Sequence, residues 1–291
     1  EQLQEQQRQE SLYIVNQFAL DYYQNQLFST DRGKSVGLSY FKKRGFTEET
    51  IRKFGLGYAP PGKDVFTQVA LQKGYEKGLL KELGLTTKYD SDFFRDRVMF
   101  TIRNLSGKVI AFGGRILGAG EPKYLNSPET EFFNKRNVLY GLHLTREFIQ
   151  KENQALLVEG YMDVVGLWDK GVQNAVAPMG TAVTEDQISY LWRFNENPIV
   201  CLDGDEAGQR AASRLAHRVL GVLAPGRTLR FALMPHGEDP DSFVEKHGKK
   251  AFMELLTETS TLEDVLWADI AEGHDLQSGD GRAAVEDKIK H

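Results

Sequence analysis

Only one cysteine, Cys201, occurs in the 291 residues, so the chain can form no internal disulfide and no cysteine-ligated zinc site. Cys201 lies in the apolar run Ile199-Val200-Cys201-Leu202, where a thiol reads as a small buried hydrophobe and not as a nucleophile. The six histidines show no ligand spacing, which removes a histidine metal site. Long apolar runs are also missing. None approaches the ~18 residues that a membrane span needs, and no secretory leader heads the chain, so a cytoplasmic protein with no membrane partner is expected. Gly113-Gly114 is not followed by the Lys-Ser/Thr pair of a P-loop, so a hairpin kink or a close backbone approach explains it better. There are no internal repeats.

Charge is present in both signs but unevenly placed. The net charge of −5 combines 22 Lys and Arg against 17 Asp and Glu in residues 1–150 with 14 against 24 in residues 151–291. Within residues 31–136 the count is 20 against 12. A basic half beside an acidic half suits a polyanion held on one and metal ions on the other.

The acidic residues are not scattered. Ala155-Leu-Leu-Val158 leads into Glu159-Gly-Tyr-Met-Asp163, Ile199-Val-Cys-Leu202 into Asp203-Gly-Asp205, and Leu229-Arg-Phe-Ala-Leu233 into Glu238-Asp-Pro-Asp241. Such short apolar runs read as buried parallel strands, with helices between them. Ligands of an open parallel sheet sit beyond the carboxyl ends of its strands, so all three clusters face one edge. Carboxylates crowded there repel one another unless a divalent cation neutralises them, and oxygen-only ligands select Mg²⁺ or Mn²⁺. Each cluster has a plainer explanation. Asp205 and Asp239 can cap helices, and Glu159 and Asp163 can stabilise a helix start. Three such coincidences at one edge favour the metal site.

Apolar spacing predicts an amphipathic helix over 11–27, after a Gln/Glu-rich solvated helix start or linker at 1–10. Short helices follow at 39–44 and, capped by Thr47, at 49–54, then another at 65–73. Residues 98–103, the turn 104–107 and residues 108–117 read as a β-hairpin, with Lys123, Tyr124 and Asn126 in a loop beyond it. From residue 155 strands near 155–158, 174–177, 198–202 and 229–233 alternate with helices over 161–170, 184–194 and 206–223. The expected division is a helix or linker at 1–30, a basic subdomain at 31–150, a metal-binding domain at 151–260 and the start of a curtailed helical subdomain at 261–291.

Together the acidic motifs and Ala177-Pro-Met-Gly-Thr181 resemble the metal-binding Toprim domain, in the wording and order of bacterial DnaG-type replicative primases. Upstream, Arg44-Gly-Phe-Thr-Glu-Glu49, Gly55-Leu-Gly-Tyr-Ala-Pro60, Phe94-Arg-Asp-Arg-Val-Met-Phe100, Gly113-Gly-Arg115 and Pro122-Lys-Tyr-Leu-Asn-Ser-Pro-Glu-Thr130 resemble the basic subdomain of that family. The resemblance runs from about residue 35 to 260. It implies an α/β Toprim domain, a mostly parallel sheet with flanking helices, joined to an α+β basic N-terminal subdomain. The family's zinc-binding and helicase-binding domains are expected to be absent from this chain.

By resemblance, the chain would make short RNA primers on single-stranded DNA from ribonucleoside triphosphates. Glu159, Asp203 and Asp205 would be catalytic, and with Asp163, Asp239 and Asp241 they would hold two or three Mg²⁺ or Mn²⁺ ions. Glu159 would be a ligand or a general base. Arg95, Arg97, Arg115, Lys123, Tyr124, Asn126 and Lys135 would grip template or nucleotide, with Tyr124 offering a stacking face. Lys170 is expected to be an uninvolved surface lysine. A replicative helicase and a single-strand-binding protein are the expected partners of a full-length monomer. The alternatives are a Toprim-family nuclease and a non-catalytic single-stranded-DNA-binding scaffold.

Overall fold

The computed structural model describes the backbone of residues 2–180 and 182–290 and the side chains between Gln7 and Lys288; Thr181, the end of one motif above, lies outside the described residues. The first helix, α1 (Gln2–Ser29), takes in the Gln/Glu-rich stretch, so of the two expectations, helix start or linker, the helix start is the one seen. Its Leu12, Val15, Ala19, Tyr23 and Leu27 are buried at helical spacing. A π-helical stretch at Gly33–Leu38 folds back on it, and a Cβ at Gly33 would sit 1.8 Å from the Gln26 carbonyl oxygen. Then come α2 (Ser39–Lys43) and α3 (Glu48–Lys53), where the Thr47 hydroxyl accepts the Thr50 N–H at 3.3 Å.

The segment Gly55–Pro60 does more than end a helix, because β1 (Gly57–Ala59) pairs with the hairpin. After α4 (Val65–Gln72) and α5 (Lys77–Glu82), the expected hairpin appears as β2 (Arg97–Arg103) and β3 (Val109–Ile116). The expected loop beyond it is instead a third partner, β4 (Tyr124–Asn126), giving an antiparallel sheet in the order β1-β2-β3-β4.

The second sheet begins with β5 (Leu139–Tyr140), followed by α6 (Leu142–Glu152), β6 (Leu156–Leu157), α7 (Tyr161–Asp169), β7 (Ala175–Pro178) and α8 (Glu185–Leu191). It continues through β8 (Ile199–Leu202), α9 (Glu206–Leu220), β9 (Arg230–Leu233), α10 (Pro240–Leu255) and β10 (Ser260–Thr261), and α11 (Leu262–Ala271) and α12 (Gly279–Lys290) follow. The order is β10-β9-β8-β6-β7-β5, with β9, β8, β6 and β7 parallel and antiparallel strands at both edges.

Side-chain alternation divides the strands of this sheet between two cores. Leu156, Val158, Ile199, Cys201 and Ala232 join a core shared with Val98, Phe100 and Ile102 of the first sheet. Leu157, Val176, Val200, Leu202 and Phe231 pack against α8 and α9 instead. The chain leaves β6 for β7 on one side, then crosses back to β8 on the other. That reversal opens a crevice at the carboxyl ends of β6 and β8, the place where open α/β sheets bind ligands.

Candidate functional site

Glu159 follows β6 and Asp203 follows β8, so the two flank the crevice, and Glu159 Oε1 accepts the Asp203 N–H at 3.1 Å across it. The plainer roles of the other acids are also present. Asp163 Oδ2 accepts the Gly160 N–H at 3.0 Å, Asp205 Oδ1 accepts the Gly208 N–H at 2.8 Å, and Asp239 Oδ1 accepts the Ser242 N–H at 2.7 Å. Three helix starts, those of α7, α9 and α10, therefore converge with a capping carboxylate each. Capping and metal binding do not compete outright, since a cap occupies one carboxylate oxygen and leaves the other. Positive helix ends also make a cluster of anions less costly.

The acids feel one another. Burial, then the charges of Asp239, Asp203 and Asp241, hold the Asp163 carboxyl well above the usual carboxylate range. Burial, then Glu159, Asp239 and Asp205, push Asp203 up to about 6. All six acids expected from the sequence thus share one field. Among the described residues no three of them are gathered into a ready-made coordination group. Their chemistry nevertheless fits a hard divalent cation, being all oxygen and mutually repelling.

Asp241 differs from the other five. It is 3% exposed, accepts a hydrogen bond at Oδ1 from Lys170 Nζ, and has Arg44 at 3.8 Å from Oδ2. A Cβ on Gly166 of α7 would lie 1.9 Å from Asp241 Oδ1, so α7 must carry glycine there. Lys170 is therefore not the free surface lysine expected: burying Asp241 required a cation, and Lys170 supplies it.

The basic residues divide into anchored and free. Arg97 is 6% exposed, and its Nη1 donates to the carbonyls of Pro122 (2.9 Å), Gly114 (3.3 Å) and Lys123 (3.3 Å). It shapes the turn before β4. Asn126 likewise spends its amide on the protein, Nδ2 donating to the Met179 carbonyl at 2.6 Å and Oδ1 accepting from the Tyr161 hydroxyl at 2.7 Å. It clamps β4 onto α7 and the end of β7. Gly113 leaves room for this clamp, since a Cβ there would meet the Tyr161 ring at 2.7 Å.

Arg115 is stacked between Tyr40 and Tyr124, its guanidinium 4.9 and 5.6 Å from their ring centroids, and it donates to the Tyr40 hydroxyl. Tyr124 keeps 41% of its surface exposed and lies edge-on to Tyr161 at 6.3 Å. Burial raises the Tyr124 hydroxyl pKa, with Arg115 and Arg44 opposing and Asp163 adding to the rise, and the ring packs on Tyr161, two residues before Asp163. Arg95 and Lys123 are exposed and Lys135 half-buried; among the described residues none has a carboxylate within 4 Å of its cationic group. Sequence reasoning singled out neither Arg44 nor Tyr40. Arg44 stood inside a quoted motif, whereas nothing in the spacing marks Tyr40, whose partner Arg115 is 75 residues away.

Residues 22–146 match the family described as DNA primase catalytic core, N-terminal domain, and residues 156–244 match a Toprim-like family. A DNA primase of Pasteurella multocida is 40% identical over 283 residues, which are 96% of this chain and 48% of that protein. The chain thus spans about half the length of the curated relatives it matches. The crystal structure of a DNA primase domain from Pseudomonas aeruginosa superposes with a TM-score of 0.87 at 40% identity, covering 94% of this chain and 87% of that one. A DnaG primase catalytic domain bound to single-stranded DNA superposes with a TM-score of 0.84 at 41% identity, covering 95% and 87%.

Proposed function

The chain belongs to the DnaG-type DNA primase catalytic-core family, and from that premise we propose that it polymerises ribonucleotides into short RNA primers on single-stranded DNA. The observation that carries this reading is the crowding of Glu159, Asp163, Asp203, Asp205 and Asp239 at the carboxyl edge of the second sheet, with Tyr124 packed on Tyr161 of α7 and Arg115 beside that ring. A Toprim-containing primase core implies divalent metal use, and Mg²⁺ or Mn²⁺, two or three ions, is the finer proposal. Glu159, Asp203, Asp205, Asp163 and Asp239 would hold them, while Asp241 would join only by exchanging its Lys170 partner. A bound ion there would supply Lewis acidity, easing loss of the proton from the attacking hydroxyl and offsetting charge on the phosphates.

The protein's own groups set the rest. Glu159 fixes the Asp203 backbone through Oε1, which leaves Oε2 for a ligand role or for accepting a proton. Arg115, Lys123, Arg95 and Lys135 would bind phosphates of the template or the incoming nucleotide, and Tyr124 would stack on a base. Arg97 and Asn126 would act by position, holding the Lys123 turn and β4 against α7. The proposal extends to a monomer at a bacterial replication fork, in contact with a replicative helicase and a single-strand-binding protein. No helix among the described residues is long and apolar enough to cross a membrane.

The test is incorporation of labelled ribonucleotides on a single-stranded template with Mg²⁺ or Mn²⁺. Template-dependent RNA oligomers are expected. Strand cleavage without extension would instead identify a nuclease, and template binding without either reaction would identify a scaffold.

A further inference from the structure

Opposite the acidic edge, the amino ends of β6, β8 and β9 frame a pocket that holds three arginines. Asn153 and Gln154 precede β6, residues 194–197 precede β8, and Arg227 precedes β9; with Trp192, Arg193 and Arg230 they line a polar pocket of about 620 Å³. Pockets of this size hold small-molecule ligands. Among the described residues, none of the three guanidinium groups has a carboxylate within 4 Å, although this half of the chain is rich in acids. Arg227 and Arg230 are half-buried and Arg193 is exposed, 5.6 Å over the Tyr190 ring. The one carboxylate in the lining, Glu196, is exposed.

The walls are tied together. The Thr228 N–H donates to the Glu196 carbonyl at 3.0 Å, and the buried Trp192 indole donates to the Thr228 carbonyl at 2.9 Å. Asn195 accepts from the Ala155 N–H at 3.3 Å and donates to the Asn153 carbonyl at 3.1 Å. The backbone framing the arginines is thereby fixed before anything binds, which lowers the ordering cost of binding.

We propose that this pocket binds a phosphoryl-bearing anion. Three unpaired guanidinium groups around one polar cavity repel one another, and their planar forks match phosphate oxygens two at a time. The site is distinct from the acidic cluster. β8 spans the four residues between them, roughly 13 Å at ~3.3 Å per residue, so no single phosphate reaches both. The phosphates could belong to a free polyphosphate or to a nucleic-acid strand, and the two sources are separable by titration.

The experiment titrates inorganic tripolyphosphate, and separately a single-stranded oligonucleotide, into the protein in EDTA by calorimetry. Arg115→Ala with Lys123→Ala provides the parent background, removing phosphate contacts on the basic half. Adding Arg193→Gln, Arg227→Gln and Arg230→Gln should weaken binding about tenfold or more, and Arg193→Gln alone, at an exposed position that fold integrity does not depend on, several-fold. Weakening of tripolyphosphate alone assigns the pocket to a free polyphosphate, and weakening of the oligonucleotide assigns it to a strand. If both ligands bind the triple variant and Arg193→Gln as tightly as the parent, the proposal is overturned.

Discussion

The two sheets treat their charged residues in opposite ways. In the β1–β4 sheet and its flank, Arg97 and Asn126 have given their polar atoms to backbone carbonyls and a tyrosine hydroxyl, Arg115 is half-buried with the Tyr40 hydroxyl as a partner, and Arg95 and Lys123 reach into solvent. At the β6/β8 crevice, Asp163 and Asp203 remain under the repulsion of their neighbours, and only Asp241 has found a cation. A charge that the fold has satisfied is available for positioning, whereas charges left in conflict mark a candidate binding site.

The contrast can be broken most severely in the second sheet. Asp203→Asn or Asp205→Asn should abolish ribonucleotide incorporation while leaving the melting temperature of the metal-free protein unchanged or slightly raised, because each removes repulsion and no core contact. Near wild-type synthesis by both variants would contradict the metal assignment. Next comes Gly166→Ala, which drives a methyl into the Asp241 carboxylate and should cost about 1–3 kcal/mol in denaturant unfolding. An unchanged midpoint would mean that α7 and α10 are not locked together as described.

On the first sheet the effects are smaller and separable. Tyr124→Ala should lose about 1–3 kcal/mol of single-strand affinity with its salt dependence intact if a base stacks there. Lys123→Ala should instead shallow the slope of log K against log salt by about 0.7. Anisotropy at several salt concentrations distinguishes the two. Equal behaviour of both variants and wild type would move the nucleic acid elsewhere. Lys170 cannot serve as a control surface lysine in these measurements, because its removal leaves the buried Asp241 carboxylate without its closest cation.

Much of the second sheet could be read locally, and the first less so. Apolar runs such as Ile199–Leu202 that end in Asp203 announce a strand and the acidic edge beyond it within a short window, whereas the order β10-β9-β8-β6-β7-β5 comes only from the pairing. β6 is as short as any strand but sits in an apolar run, whereas β1, β4, β5 and β10, of two or three residues, are too brief to show a period of two, and their pairing partners create them. Side-chain use is more remote still. Asn126 holds the Met179 carbonyl from 53 residues away, and Lys170 meets Asp241 from 71 residues away. Spacing cannot show such pairs. The capping roles of Asp205 and Asp239 were visible as alternatives, and the structure shows them coexisting with the shared field.

The pH dependence of metal-free stability adds a signature of that field. The Asp203 carboxyl titrates near 6 in the folded protein and near ~3.9 in an unfolded chain, so the folded state holds more protons in between. Stability should therefore fall as pH rises through that window, and Asp203→Asn should flatten the fall. A steeper fall in the variant would exclude Asp203 as its source.

The most direct test of the central claim, that these carboxylates are left in conflict for a cation to resolve, is thermal unfolding at neutral pH with and without Mn²⁺. At ~100 times its dissociation constant, one ion bound only to the folded state adds about 2.7 kcal/mol. Wild type should melt higher with Mn²⁺, and the Asp203→Asn, Asp205→Asn double variant should not. An unchanged wild-type melting temperature, or an equal shift in the double variant, would contradict the account.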